Sequence, residues 1–155
     1  MAKRLKAAMP IYEEFVFRVR DPSTTYRFGL SHDRWTSDTF DESLSLTCIA
    51  DCLYPDRFAG RSATVHIHSG PDLAVQNARR PETPPTGVAF LRVTPTLFEV
   101  WAGLPGQTCW RVADSIANGT INVMLLHGPK PVRGKSNLTS ISFHGPEFDP
   151  VEYVG

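Results

Sequence analysis

Apolar and polar residues alternate with period two along most of the chain. In EEFVFRVR, Phe15, Phe17 and Val19 fall on one side and Glu14, Arg18 and Arg20 on the other, which predicts a half-buried strand over 13–20. Asp21-Pro22-Ser23 interrupts it, and TYRFGL starts a second strand over 25–30. The polar stretch from Ser31 to Glu42, with Trp35 and Phe40 as isolated aromatics, is expected to be a long loop. Alternation resumes in SLSLTCIADCL (43–53), where Leu44, Leu46, Cys48, Ala50 and Cys52 share a face. It continues in SATVHIHS (62–69), which puts Ala63, Val65 and Ile67 inward.

After a polar, proline-bearing connection over 70–86, VAFLRVTP (88–95) and LFEVWAGLP (97–105) are close enough for a hairpin. Two strands close the pattern, TINVMLLHG (120–128) and SNLTSISFHG (136–145). Only residues 108–118 change period. Cys109, Val112, Ala113, Ile116 and Ala117 recur at helical spacing, Thr108 can cap the start, and Asn118-Gly119 supplies a left-handed exit.

About eight strands, one helix and no repeat or compositional break predict a single mainly-β domain spanning 1–155. Short connections without alternating helices exclude a doubly wound α/β sheet and favour an antiparallel β-sandwich or partly open β-barrel, with helix 108–118 covering an edge. Residues 1–9 are expected to form a flexible basic tail, with Lys3, Arg4 and Lys6 exposed, and residues 146–155 a tail running over the surface.

Composition narrows the function classes. Lysine plus arginine and aspartate plus glutamate number 16 each, so the zero net charge lacks the footprint of a general nucleic-acid binder. No apolar run reaches the ~18 residues of a membrane helix, and none follows the basic start as a signal peptide would require. Three cysteines, Cys48, Cys52 and Cys109, suit a reduced, cytoplasmic thiol set better than a disulfide framework. Cys48 and Cys52 stand about 13 Å apart in a strand, too far for a disulfide or one zinc.

The sharpest candidate site is His66 and His68. In a strand they project from one face, opposite Val65 and Ile67, and can share a zinc or iron if a neighbouring strand adds a third ligand. His127, His144 and Glu99 are the available donors; the alternative is a pair of solvated histidines. A second candidate is the loop GPKPVRGK, whose Lys130, Arg133 and Lys135 would hold an anion or nucleic acid if they gather with Arg57, Arg61, Arg79 and Arg80 at one barrel end. Trp35 and Phe40 are candidates for a partner contact, because they stand in an otherwise polar loop. Phe15, Phe17, Tyr26 and Phe28 are expected to pack across strands in the core rather than stack on bases.

No G-x-S-x-G elbow or phosphate-cradle motif occurs, and Cys109 at a helix start has a packing role as well as a nucleophilic one. These features favour a non-catalytic binding module for a protein partner or a second copy of itself, with no cofactor. Metal-dependent chemistry at His66 and His68, or anion binding by the basic loops, are the alternatives.

Overall fold

A computed structural model describes residues 9–31, 39–70 and 87–154 of the chain. Eight strands among these residues form one mixed sheet nearly closed into a barrel. They are β1 (Tyr12–Ser31), β2 (Thr39–Tyr54), β3 (Ser62–Gly70), β4 (Ala89–Val93), β5 (Phe98–Pro105), β6 (Val123–Pro129), β7 (Lys135–Leu138) and β8 (Ser140–His144). Their spatial order is β7-β4-β5-β3-β2-β1-β6-β8. Helix α1 (Gly106–Ala117) follows β5, and a short helix α2 (Pro150–Val154) ends the described chain. Among the described residues no helix is long and apolar enough to cross a membrane.

The barrel reading holds and the purely antiparallel one does not. The chain leaves β3, returns as β4 one strand beyond β5, and then turns back so that β5 lies parallel to β3, with Val65 beside Val100. The β4–β5 hairpin forms as expected. Its turn is held by Thr94, whose amide donates to the Leu97 carbonyl and whose hydroxyl accepts from the Leu97 amide.

Closure comes from one extended stretch. Residues 135–138 pair with β4, the chain passes through Thr139, and residues 140–144 pair with β6. The Thr139 amide donates to the His127 carbonyl at 2.8 Å, joining the two halves. Gly128 permits this approach, because a Cβ there would lie 2.8 Å from the Leu138 Cα.

The inward residues of the alternating pattern form the core. Phe15, Phe17, Leu46, Val65, Ile67, Leu91, Val100, Leu126 and Leu138 are fully buried there. Helix α1 adds Cys109, Val112, Ala113 and Ile116, four of the five stripe positions expected from its period, while Ala117 at its last position is exposed. It starts two residues before the predicted boundary, with Pro105 rather than Thr108 at the cap position and no side-chain cap.

Two stretches depart from alternation, and the fold explains both. Val16, Val123 and Leu125 project to the outer face yet are buried, because Leu53, Tyr54, Phe148 and Val154 pack over them. The continuous apolar runs FVF and VMLL therefore mark strand segments covered on both faces. Of the stretch 146–155, expected to be a surface tail, the described residues 146–154 supply part of that cover: α2 folds back, Pro150 is buried, and the Tyr153 hydroxyl donates to Glu14.

The other departure is at Asp21-Pro22-Ser23, expected to separate two strands. β1 instead runs straight through with a bulge, since Arg20 faces Ile49 and Ser23 faces Thr47. Asp21 takes a φ of 52° and Pro22 has no N–H for the ladder, so the bulge absorbs one residue without ending the pairing. β2 likewise begins at Thr39, inside the predicted loop.

Candidate docking site

Beyond the bulge, β1 pairs only with β2, because its ladder with β6 ends at Arg18 and the β2–β3 ladder ends at Ser45. Residues 23–31 and 39–44 therefore form a two-stranded arm that continues past the barrel. Directly opposed residues share a face, so Tyr26 opposite Leu44, Phe28 opposite Glu42 and Leu30 opposite Phe40 extend the face that buries Leu44 and Leu46. The inward pattern thus continues where there is no barrel interior to fill.

The result is an exposed aromatic strip. Phe28 and Phe40 stack at a centroid distance of 5.4 Å and an interplanar angle of 9°, while remaining 62% and 74% exposed. Tyr26 leans on Trp110 of α1 at 5.5 Å, and its hydroxyl donates to Glu42 at 2.9 Å. That bond to a carboxylate raises the Tyr26 pKa, since ionising the phenol would place two negative charges side by side. Trp110 follows Cys109, one step off the buried stripe of α1, so the indole points toward the arm and stays 41% exposed.

Between arm and helix lies a cleft of about 520 Å³, whose walls include Tyr26, Asp41, Glu42, Ser69, Gln107 and Trp110. Two aromatic side chains and the Glu42 carboxylate, with no lysine or arginine among the described walls, make it suited to a cationic side chain. Of the predicted partner-contact residues, Phe40 is on this surface and Trp35 lies outside the described residues. Tyr26 and Phe28 were expected in the core with Phe15 and Phe17. Only the latter two are there, because the arm carries Tyr26 and Phe28 past the end of the barrel.

His66 and His68 face outward as alternation requires, with Val65 and Ile67 fully buried on the opposite side. Both imidazoles stack on Trp101 of β5, at 3.9 and 5.7 Å and within 17° of parallel. Trp101 was missed in the sequence. It is the one large aromatic on the polar side of LFEVWAGLP, opposite in phase to Phe98, Val100, Ala102 and Leu104.

Of the candidate third ligands only Glu99 lies beside this cluster, and His127 and His144 are elsewhere. Glu99 accepts from the Trp101 Nε1–H at 3.4 Å, His127 stacks on Tyr12 of β1, and His144 lies against Phe148. Among the described residues no group of three or more His, Cys, Asp or Glu side chains is placed to hold a metal.

Of the basic loops, Lys130 meets Arg57 and Arg61 around one pocket, as the sequence allowed. Arg133 and Lys135 are exposed and sit outside its walls, in a turn where Val132 bridges Lys135. Arg79 and Arg80, and the tail residues Lys3, Arg4 and Lys6, lie outside the described residues. All three thiols are free and buried. Burial pushes the Cys48 and Cys52 thiols up to about 11 and raises that of Cys109 as well, the opposite of an activated nucleophile.

The mainly-β, nearly closed barrel is thus the class the fold defines. Compared with known protein families, curated proteins and solved structures, the chain matches none of them.

Proposed function

We propose that the protein is a non-catalytic docking module that takes an extended, lysine- or arginine-bearing segment of a protein partner. The observation that carries this reading is the aromatic arm beside the acidic cleft: Phe28, Phe40 and Leu30 in the open, and Tyr26 and Trp110 beside Glu42. The aromatic strip supplies apolar contact area, and the Glu42 carboxylate selects positive charge. The arm's outer edges at residues 24–31 and 39–44 have no strand partner among the described residues, so a bound segment can add to the ribbon through main-chain hydrogen bonds.

The test is a titration of the full chain with synthetic peptides of alternating lysine and valine, and with their glutamate–valine counterparts, followed by backbone NMR shifts. The lysine peptide is expected to shift the amides of the arm and of α1's first turn, and the glutamate peptide to leave them in place. Trp110→Ala should weaken binding about tenfold, the equivalent of ~1.4 kcal/mol. Equal responses to both peptides, or a response confined to other strands, would overturn the reading. So would a concentration-dependent dimer that Phe40→Ser dissociates, since the strip would then be an interface between two copies of the chain.

A further inference from the structure

We propose a second, separate binding site at the opposite end of the β1–β2 ladder: a pocket for a phosphate monoester, formed by Arg57, Arg61 and Lys130. It is independent of the docking arm and stands on different residues. Its volume is about 350 Å³, and its walls include Phe58, Val93, Pro95 and Pro131 besides the three cations. That is near the lower bound of small-molecule sites, which run from about 300 to 1,000 Å³.

Three distant stretches of chain bring the cations together. Arg57 is in the turn after β2, Arg61 immediately precedes β3, and Lys130 follows β6, with its amide donating to the Ile11 carbonyl at 2.6 Å. Arg57 is already committed, because Glu13 holds its guanidinium and the ring of Phe58 lies 4.5 Å beneath it. Arg61 is held differently. Its Nη2 donates to the Thr94 carbonyl at 2.6 Å and its guanidinium rests on Phe98 at 5.2 Å.

Carbonyl oxygens orient a guanidinium without cancelling its charge, so Nη2, which donates to Thr94 and at 3.4 Å to Leu97, fixes Arg61, while Nε and Nη1 make no hydrogen bond among the described residues. Among the described residues neither Arg61 nor Lys130 has a carboxylate within 4.0 Å. One fixed guanidinium and one flexible ammonium together offer two positive charges, the first through single N–H donors and the second as a point charge.

A phosphate monoester carries about −1.5 to −2 charges at neutral pH and presents three acceptor oxygens, which matches that pair. A carboxylate or a phosphodiester brings a single charge. The apolar side of the pocket, Phe58, Pro95 and Pro131, gives the esterified group a surface to lie on. The zero net charge of the chain makes the attraction local to this pocket rather than a property of the whole surface.

Calorimetry and NMR on the full chain with inorganic phosphate and with uridine 5′-monophosphate test the proposal. Both are expected to shift Arg61 and Lys130, the nucleotide binding more tightly because its ring uses the apolar walls. Lys130→Gln should weaken both about tenfold, as expected for loss of one charge-assisted hydrogen bond, and leave thermal stability unchanged because the side chain is exposed. Arg61→Lys should weaken them at least as much; its fold is checked by Tm, since Arg61 also holds the Thr94 turn. No saturable binding of either probe would overturn the site. Equal affinity of wild type and Lys130→Gln would do the same, as would a phosphodiester oligonucleotide that binds more tightly than the monophosphate. A lysine peptide that still binds at the arm in Lys130→Gln separates failure here from failure of the docking reading.

Discussion

Replacing Phe17 with alanine probes the assignment of aromatics between core and surface. Phe17 is fully buried and meets Phe98 edge to face at 5.7 Å; Phe98 meets Phe58 at 5.7 Å, and Phe58 stacks on Phe15 at 6.4 Å. Truncation removes side-chain burial of roughly 1.5–3 kcal/mol and an aromatic pair of about 0.5–1.5 kcal/mol. The site cannot collapse easily, because β1 is laddered to β2 at Cys52 and to β6 at Met124 on either side of this residue. A loss of about 4–5 kcal/mol follows, near the top of the ~3–5 kcal/mol range for Phe→Ala.

For a chain of this length each kcal/mol moves Tm by about 2–4 °C, so Tm should fall by roughly 8–20 °C. Urea unfolding followed by circular dichroism measures the free energy directly, and Phe28→Ala is the matched control. Phe28 is exposed and touches one aromatic neighbour among the described residues, Phe40, so its loss should stay below about 1 kcal/mol. A Phe17→Ala loss under about 1 kcal/mol, or equal losses at the two positions, would refute the division into core rings and arm rings.

Three further outcomes are expected. Gly134 has a φ of 75°, and a Cβ there would lie 2.1 Å from the Val93 carbonyl oxygen, so Gly134→Ala should cost about 2 kcal/mol or more in urea unfolding. An aromatic disulfide reagent at about pH 8 should modify none of the three thiols until denaturant is added, because burial keeps them protonated and covered; rapid modification of native protein would contradict this. Hydrogen bonds from Arg20 and then Ser62 hold the Asp51 carboxyl below its usual range, so its contribution to stability is present above the ordinary carboxylate value and is lost as pH falls through the lowered native one. Arg20→Gln should move the Asp51 titration upward by NMR, and an unmoved midpoint would show that the ion pair is not populated.

Side-chain alternation is a local property, and what depends on it was legible without coordinates. The inward set Phe15, Phe17, Val65, Ile67 and Val100, the outward histidines and the α1 stripe all follow from backbone geometry, because a strand repeats every two residues and a helix every 3.6. The pattern could not reveal where a strand outruns its neighbours. TYRFGL alternates as EEFVFRVR does, yet one forms an arm and the other lines a barrel, and the difference is which strands lie alongside. A bulge accommodated Asp21-Pro22-Ser23 because β2 continued opposite it.

The meeting of His66 and His68 with Trp101, and of Arg57 and Arg61 with Lys130, was likewise decided by tertiary structure. Such pairs are far apart in sequence, and only strand order and register bring them together. The chain alone therefore determined which faces are apolar. The fold determined which of those faces are covered, since burial requires a second surface and no single strand carries the information about its neighbour.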